Sequence, residues 1–218
     1  MANEYLTKAE FKATLEIAGE AFADADVIRV LEAASRQVDG YCGRRFYLDA
    51  DANQVREYEA WDRNFVPIDD LVTLTTLQTS VADDGVYETT WLTTDYALEP
   101  ANGPAKGLPY TRIRRRGPST LSFAGYIDGF PSAVGYYQGM IPHAGWVKVT
   151  GRFGWPTIPP EVRTATSILA ARLLKRSREA PFGIAAVGFD VSGAERISRT
   201  DPDVASLLAP YVRRQLVH

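Results

Sequence analysis

The sequence has 218 residues, with 24 Lys and Arg against 27 Asp and Glu, and its formal net charge is −3. Apolar residues make up 45% of it and charged residues 23%, which are ordinary values for a globular protein and exclude a disordered tail or a collagen-like rod. No apolar run approaches the roughly 18–20 residues that cross a bilayer, and the single cysteine excludes an internal disulfide.

A short first helix is predicted close to the start of the sequence. Thr7 and Glu10 have the spacing of a capping box, in which each side chain bonds to the backbone N–H of the other residue. Phe11 begins the apolar face of this helix, and we expect the helix to end near Gly19.

A second, longer helix is predicted over residues 24–42, where apolar residues recur at helical spacing. We expect Asp24 or Asp26 to cap its start and Gly43 to end it. Cys42 falls on the apolar face, so we predict that it is a small core residue and not a nucleophile.

The middle of the sequence, from Phe46 to about Trp155, has the composition of strands and turns. Short runs rich in Thr, Val, Tyr and Trp alternate with clusters of Gly, Pro, Asp and Asn. We predict a hairpin turn at residues 83–85 and an exposed extended loop or flexible hairpin at residues 117–144. The predicted strands are Gln54–Trp61, Leu71–Thr79, Thr89–Tyr96, Tyr110–Arg116 and Gly145–Arg152.

Two helices are predicted in the last part of the sequence. The third helix covers residues 160–177 and opens with proline and Glu161 in its first turn. A Gly- and Ala-rich stretch at residues 181–200 is predicted to be extended or to form a hairpin. Asp201 then caps a short helix that runs through Leu208.

These elements predict an α+β fold, in which N- and C-terminal helices form a helical bundle with a β-rich insertion between them. Residues 1–46 would supply the N-terminal helices of the bundle. Residues 47–157 would form the β-rich insertion with its Gly/Pro loops. Residues 158–218 would supply the C-terminal helices and an extended tail segment.

The residues that would form a catalytic or metal site are scarce. His143 and His218 are the only histidines, and neither lies in a motif that builds a Ser-His-Asp or Cys-His arrangement or a zinc site. No phosphate-binding glycine motif is present. We therefore predict a protein without enzymatic activity, metal or cofactor. The carboxylates that come in near pairs sit at predicted caps and turns, where Asp favours the backbone: Asp24/Asp26, Asp69/Asp70, Asp83/Asp84 and Asp201/Asp203.

Charge is divided unevenly along the chain. Residues 1–100 carry 8 basic against 20 acidic side chains, whereas residues 101–159 carry 7 against 1 and residues 160–218 carry 9 against 6. An acidic part followed by a basic part suits a subunit that packs head-to-side against copies of itself or against a charged neighbour. The alternative is that the two parts face each other within one fold.

The strongest local charge feature is the run Arg112-Ile113-Arg114-Arg115-Arg116. Arginines suit phosphate contacts, so the run could bind DNA. Alternation along a strand would instead place Arg112, Arg114 and Arg116 on one solvated face, and we favour this interpretation. Whether Arg112, Arg114, Arg115 and Arg116 would line a channel, lie between subunits or face solvent stays open.

Four stretches of the sequence carry a family pattern. The opening YLTKAEFKATLEI contributes Leu6, Thr7, Glu10, Lys12 and Leu15, and ASRQVDGYCGRRF contributes Tyr41, Gly43, Arg44 and Phe46. GRFGWPTIPPEVRTATSILAARLLKRS contributes Gly154, Trp155, Pro159, Val162 and Ala165. In this order, and with the ending ISRTDPDVASLLAPYVRR, the sequence resembles the head–tail connector (adaptor) proteins of tailed bacteriophages, in particular actinobacteriophage members.

The resemblance implies a structural role in the virion. Such adaptors form a homo-oligomeric ring, commonly of twelve subunits, beneath the portal protein at the head–tail neck. The ring extends the channel for the packaged double-stranded DNA, which passes without sequence-specific binding, and it seats the stopper or tail-completion protein. Assembly in the host cytoplasm is implied as well. In relatives the C-terminal segment reaches the portal, which nominates Leu207, Leu208, Tyr211, Arg213 and Arg214.

Several alternatives stay open at this point. Leu207 and Leu208 could equally pack onto their own domain. The protein could be another neck or tail-completion ring protein, such as a stopper or terminator, although we expect those to be mostly β. It could also be a DNA-binding accessory protein that uses Arg112–Arg116, whose affinity would fall steeply with salt.

Overall fold

The computed structural model describes residues 3–14, 22–80, 85–127, 141–143, 145–179 and 201–213. Its helices are α1 (Lys8–Thr14), α2 (Asp24–Cys42), α3 (Pro160–Glu179) and α4 (Pro202–Leu208), with 3-10 turns at Pro104–Lys106 and Ala209–Tyr211. Its strands are β1 (Gln54–Ala60), β2 (Phe65–Ser80), β3 (Thr89–Thr90), β4 (Tyr96–Glu99), β5 (Tyr110–Arg115), β6 (Gly125–Ile127), β7 (Ile141–His143) and β8 (Gly145–Phe153). The chain divides into a helical unit, residues 1–47 with 158–218, and a β unit, residues 48–157.

The prediction of a helical bundle formed by the N- and C-terminal helices is wrong. The chain is a mixed α+β protein whose largest described element is a six-stranded antiparallel sheet with its own core. Helices α1 and α4 have seven residues each, about two turns, whereas α2 and α3 have 19 and 20. The short helices pack on the α2–α3 pair and are too short to form further layers of a bundle.

The helical unit is held together by the apolar face of α2. Apolar residues three and four apart place one stripe of α2 against α1 and α3. Phe11 of α1 and Leu31 of α2 are fully buried in this core. The predicted capping box is confirmed, since the Thr7 N–H donates to Glu10 Oε2 at 2.8 Å and the Glu10 N–H donates to Thr7 Oγ1 at 3.2 Å.

The two ends of α2 are formed differently. Gly43 ends the helix in the left-handed conformation, with φ 64°, and its N–H donates to the Asp39 carbonyl at 2.8 Å, as predicted. The predicted aspartate cap at the start is wrong, because Ala23 occupies the cap position and makes no side-chain bond there. Asp24 already lies in the first helical turn, where its carboxylate forms an ion pair with Lys12, with 2.8 Å between Asp24 Oδ1 and Lys12 Nζ.

The main sheet of the β unit has the strand order β1-β8-β2-β5-β4, with β3 paired to the end of β2. All of these pairings are antiparallel, and β6 and β7 form a separate two-stranded sheet. Along β8 every second residue is buried, which gives the sheet a core face and an outer face. The largest fully buried side chains of the core face are Phe123, Phe153, Ile68, Leu71, Leu77 and Ile113.

Two sequence predictions differ from the observed strands. The predicted strand Thr89–Tyr96 is wrong, because a turn after β3 separates it from β4. Asp95 closes this turn by accepting the Leu92 N–H at 3.0 Å and donating its own N–H to the Leu92 carbonyl at 2.9 Å. Strand β2 begins at Phe65, earlier than predicted, because Val66 and Ile68 continue the buried alternation.

Part of the predicted loop at residues 117–144 is ordered as β6 and β7. Residues 128–140 and 144 of that loop lie outside the described part of the chain. The same holds for the end of the first helix at Gly19, for most of the turn at 83–85 and for the predicted stretch at 181–200.

Candidate functional site

The described residues do not bring together the side chains of a catalytic or metal site. No group of three or more His, Cys, Asp or Glu side chains is arranged there to hold a metal ion, and none of the described helices is long and apolar enough to cross a membrane. Cys42 is buried in the helical unit, as predicted, and burial raises the pKa of its thiol to about 11. At neutral pH this sulfur is a protonated core atom.

The C-terminal segment, residues 201–213, is packed on the helical unit. Asp201 caps α4 by accepting the Asp203 N–H at 2.9 Å, as predicted, and it also pairs with Arg172 of α3 at 2.8 Å. Leu208 is fully buried, whereas Leu207 is half-buried. The buried leucine therefore contacts its own unit, which is one of the two alternatives for this pair.

An aromatic clasp, formed by Tyr5, Phe46 and Tyr211, holds the end of this segment. The rings of Tyr5 and Tyr211 meet the Phe46 ring edge-on, with centroids 5.9 and 5.8 Å away. The Phe46 N–H donates to Tyr5 Oη at 2.8 Å, and Tyr5 Oη donates to Asp39. The Arg213 N–H donates to the last carbonyl of α2 at 2.8 Å. Two contacts thus fasten residues 211–213, the Tyr211–Phe46 ring contact and the Arg213 bond to α2, and Phe46 is held in turn by Tyr5.

Of the five residues predicted to contact the portal, four are described. Leu207, Tyr211 and Arg213 are half-buried and retain accessible surface, while Leu208 does not. Arg214 lies outside the described part of the chain. The clasp was not predicted from the sequence, because its rings come from positions about 40 and 165 residues apart.

Tyr211 should titrate at a higher pH than an ordinary tyrosine. Its hydroxyl donates to Glu161 Oε2 at 2.8 Å, and burial together with this bond raises its pKa to about 12. A raised pKa in the folded state stabilises the protein below pH 10, and this stabilisation is lost as the pH rises through 12. In an alkaline titration followed by absorbance at 295 nm, Tyr211→Phe should therefore lack one of the late tyrosines of the wild type, the one that ionises near pH 12. If the tyrosine that is missing from the variant ionised near pH 10, the ordinary value, the Tyr211–Glu161 bond would be contradicted.

The predicted arginine run forms a charged cluster on the outer face at one edge of the sheet. Arg112 and Arg114 alternate with the fully buried Ile113, so both point away from the core. Both donate to Glu99 on the adjacent strand β4, Arg112 Nε at 2.7 Å and Arg114 Nε at 2.6 Å. These bonds, first from Arg114 and then from Arg112, hold the pKa of Glu99 below its usual value. We call Arg112, Arg114 and Glu99 the arginine cluster; it carries one net positive charge.

The other two arginines of the run are used in the fold of the β unit. Arg115 donates to the Ser119 carbonyl at 2.6 Å and to Asn64 Oδ1 at 3.0 Å. Arg116 donates to the Tyr96 carbonyl at 2.7 Å. The interpretation of one strand face holds for Arg112 and Arg114, but Arg116, predicted on the same face, lies beyond the end of β5 and bonds to the first residue of β4.

A small cavity of about 180 Å³ lies at the opposite side of the sheet. We call it the acidic–aromatic pocket; it is lined by Glu57, Ser80, Gly85, Tyr87 and Trp146. The register explains the grouping. Glu59, Trp146 and Ser80 form one cross-strand row over β1, β8 and β2, and Glu57, Lys148 and Gln78 form the next. Ser80 Oγ is buried and makes no hydrogen bond to the described residues.

A cation of the chain itself already lies beside this pocket. The Lys148 ammonium group is 3.9 Å from the Tyr87 ring centroid and 3.9 Å from Glu57 Oε1. The Glu57 side chain remains half-exposed. No sequence pattern indicates this pocket, because Glu57, Trp146 and Ser80 come together only through the pairing of β1, β8 and β2.

Comparisons with known proteins bear on the fold. No family model and no curated protein matches the chain. A solved structure described as the neck of an empty gene transfer agent particle, computed with C6 symmetry, is similar in fold, with a TM-score of 0.52 and 21% identity. This similarity covers 100% of the chain and 98% of that structure's chain.

A second solved structure comes from the virion of a native gene transfer agent particle. It has 20% identity and a TM-score of 0.48, and the match covers 98% of the chain and 93% of that structure's chain. The first of these two similarities shows that the chain shares its fold with a chain from a particle neck.

Proposed function

We propose that this protein is a structural component of the neck of a tailed-phage-like particle and acts there as a ring-forming head–tail connector. The observation that carries the proposal is the full-length fold similarity to a chain in a neck structure. The connector pattern at both ends of the sequence supports the same role. An enzymatic role gains no support from the described residues, whose one cysteine is a buried thiol.

In the proposed assembly, copies of the chain form a ring beneath the portal, extend the DNA channel and seat a stopper or tail-completion protein. The neck structure to which the chain is similar was computed with C6 symmetry, which a ring of six or twelve copies would satisfy. The C-terminal segment is the proposed portal contact, through the accessible surface of Leu207, Tyr211 and Arg213. Tyrosine and arginine are favoured anchors in protein interfaces.

A role as a DNA-binding accessory protein is less well supported. All four arginines of the run make hydrogen bonds within the chain, and Arg112 and Arg114 share one carboxylate. A surface that depends on phosphate contacts needs several uncompensated cations. The cluster of Arg112, Arg114 and Glu99 has only one net charge to offer.

The test is electron microscopy of a cell lysate in which the particles were produced without this gene. We expect DNA-packed or leaking heads beside separate tails, because the joint between them is missing. Adding the purified protein should restore whole infectious particles, whereas adding buffer alone should not. Normal, infectious particles without the gene would overturn the proposed connector role.

A further inference from the structure

We propose that the acidic–aromatic pocket receives an arginine side chain from the arginine cluster of a second copy, so that the two opposite sides of the sheet form the subunit interface. This inference rests on the proposed ring and names the surfaces that would close it. The occupant is a neighbouring copy of this chain, contacting through Arg112 or Arg114.

The pocket has the chemistry that a guanidinium group requires. Tyr87 and Trp146 both line the pocket, and a planar guanidinium stacks on an aromatic ring better than an ammonium group does. The Lys148 ammonium group lies 3.9 Å from the Tyr87 ring centroid, so the Trp146 ring is the proposed stacking partner. Glu57 offers a half-exposed carboxylate as a charged acceptor, and Ser80 Oγ is a buried acceptor that no described residue uses. Lys148, beside Tyr87 and Glu57, shows that this wall of the pocket attracts a cation.

The arginine cluster has the matching chemistry. Arg112 and Arg114 are each about half-exposed, at 49% and 48%, and both lie on the outer face. The one carboxylate between them neutralises a single charge, and each guanidinium carries five N–H donors. One of the two arginines can therefore turn to a second carboxylate while the other keeps Glu99.

The positions of the two surfaces lead to a ring and not to a simple twofold dimer. The pocket includes β1, which is one edge of the main sheet, and the cluster includes β4, which is the other edge. Among the described strands, none pairs with the free side of either edge. Each copy would therefore donate an arginine on one side and accept one on the other. Such a head-to-tail contact closes into a ring when its rotation allows.

The test exchanges the charges of the two surfaces. Glu57→Arg changes the pocket carboxylate from −1 to +1. Arg112→Glu with Arg114→Glu and Glu99→Arg changes the cluster from +1 to −1 and keeps a central partner of opposite sign. Native mass spectrometry and sedimentation at 50 mM salt would measure the oligomeric state of each purified protein. We expect each variant alone to weaken self-association at least tenfold, and the combination of both to restore it.

Glu32→Arg is the matched control, because it makes the same charge change at an exposed position of α2. It should leave association unchanged, and thermal unfolding should confirm that every variant is folded. A wild-type protein that stays monomeric at 100 µM would overturn the inference, as would an oligomer that ignores both charge changes. Particle rescue by a Glu57→Arg variant as complete as by the wild type would overturn the inference while leaving the connector role intact.

A photo-crosslink tests the same contact without altering a charge. Tyr87 replaced by p-benzoylphenylalanine places a reactive ring in the pocket wall. After irradiation of the assembled protein, we expect dimeric products in which residue 87 is joined to a peptide containing residues 112–116. Crosslinks that join residue 87 to any other peptide of a second copy would show that a different surface occupies the pocket.

Discussion

Replacing Gly151 with alanine should lower the free energy of unfolding by about 3 kcal/mol or more, since the new methyl group has no space. An alanine Cβ at this position would lie 2.2 Å from the Thr73 carbonyl oxygen and 3.0 Å from Leu71 Cδ1. The carbonyl belongs to β2 backbone and cannot swing aside as a flexible side chain could. Strand β8 is also paired on both sides, so moving it would disturb two hydrogen-bonded ladders.

Urea unfolding of the purified protein, followed by fluorescence, measures this effect, and Gly40 provides the control. Gly40 lies within α2, and a Cβ there would meet nothing within 4 Å. Gly40→Ala should therefore stabilise the protein by about 0.5–1 kcal/mol, the usual gain for alanine over glycine in a helix. A Gly151→Ala protein that is as stable as the wild type would contradict the close approach of β8 to β2.

The elements that the sequence predicts well are those with a long, regular pattern. Helix α2 repeats its apolar spacing over 19 residues, and its bounds agree with the prediction. Only the capping residue of that helix was predicted wrongly, because Asp24 and Asp26 are both suitable caps by residue type while Ala23 occupies the cap position. The single strand predicted over residues 89–96 was also wrong. Residues with high β-propensity lie on both sides of Asp95, so the composition does not reveal the turn that Asp95 closes.

The candidate surfaces are predictable only where they are local. The alternation of Arg112, Ile113 and Arg114 is enough to place both arginines on one strand face. Nothing in the sequence indicates that Glu99 lies opposite them, because this follows from the register of β4 and β5. The acidic–aromatic pocket and the aromatic clasp are formed from distant segments, so hydrophobic periodicity carries no information about either.

The prediction of a helical bundle was wrong because it counted the helices and did not weigh how short two of them are. Helical signals occur at both ends of the sequence, and the middle is rich in strand-forming residues, which suggested helices as the main body. The sheet contains the larger described core, from Ile68 on β2 to Phe153 on β8. Two-turn helices such as α1 and α4 add little buried area of their own.

Phe46→Ala should have the second large effect, and it would act on the proposed portal contact. Phe46 is fully buried between Tyr5 and Tyr211, and its removal leaves a cavity that typically costs about 3–5 kcal/mol. Beyond this loss of stability, the end of the C-terminal segment would lose its ring contact while α2 and α3 keep their own core. We therefore expect the amide of Arg213, which bonds to the Cys42 carbonyl, to exchange with solvent much faster in the variant.

Hydrogen exchange followed by mass spectrometry can separate this local release from a general loss of stability. Tyr211→Phe serves as the control, because it keeps the ring against Phe46 and removes only the hydrogen bond to Glu161. It should cost about 1 kcal/mol and leave the Arg213 amide protected. If Phe46→Ala accelerated exchange equally in α2 and at Arg213, the clasp would be part of the unit's general core. Faster exchange at Arg213 alone would mean that the Phe46 ring controls whether the end of the C-terminal segment stays packed on its own unit or is free to contact a neighbour.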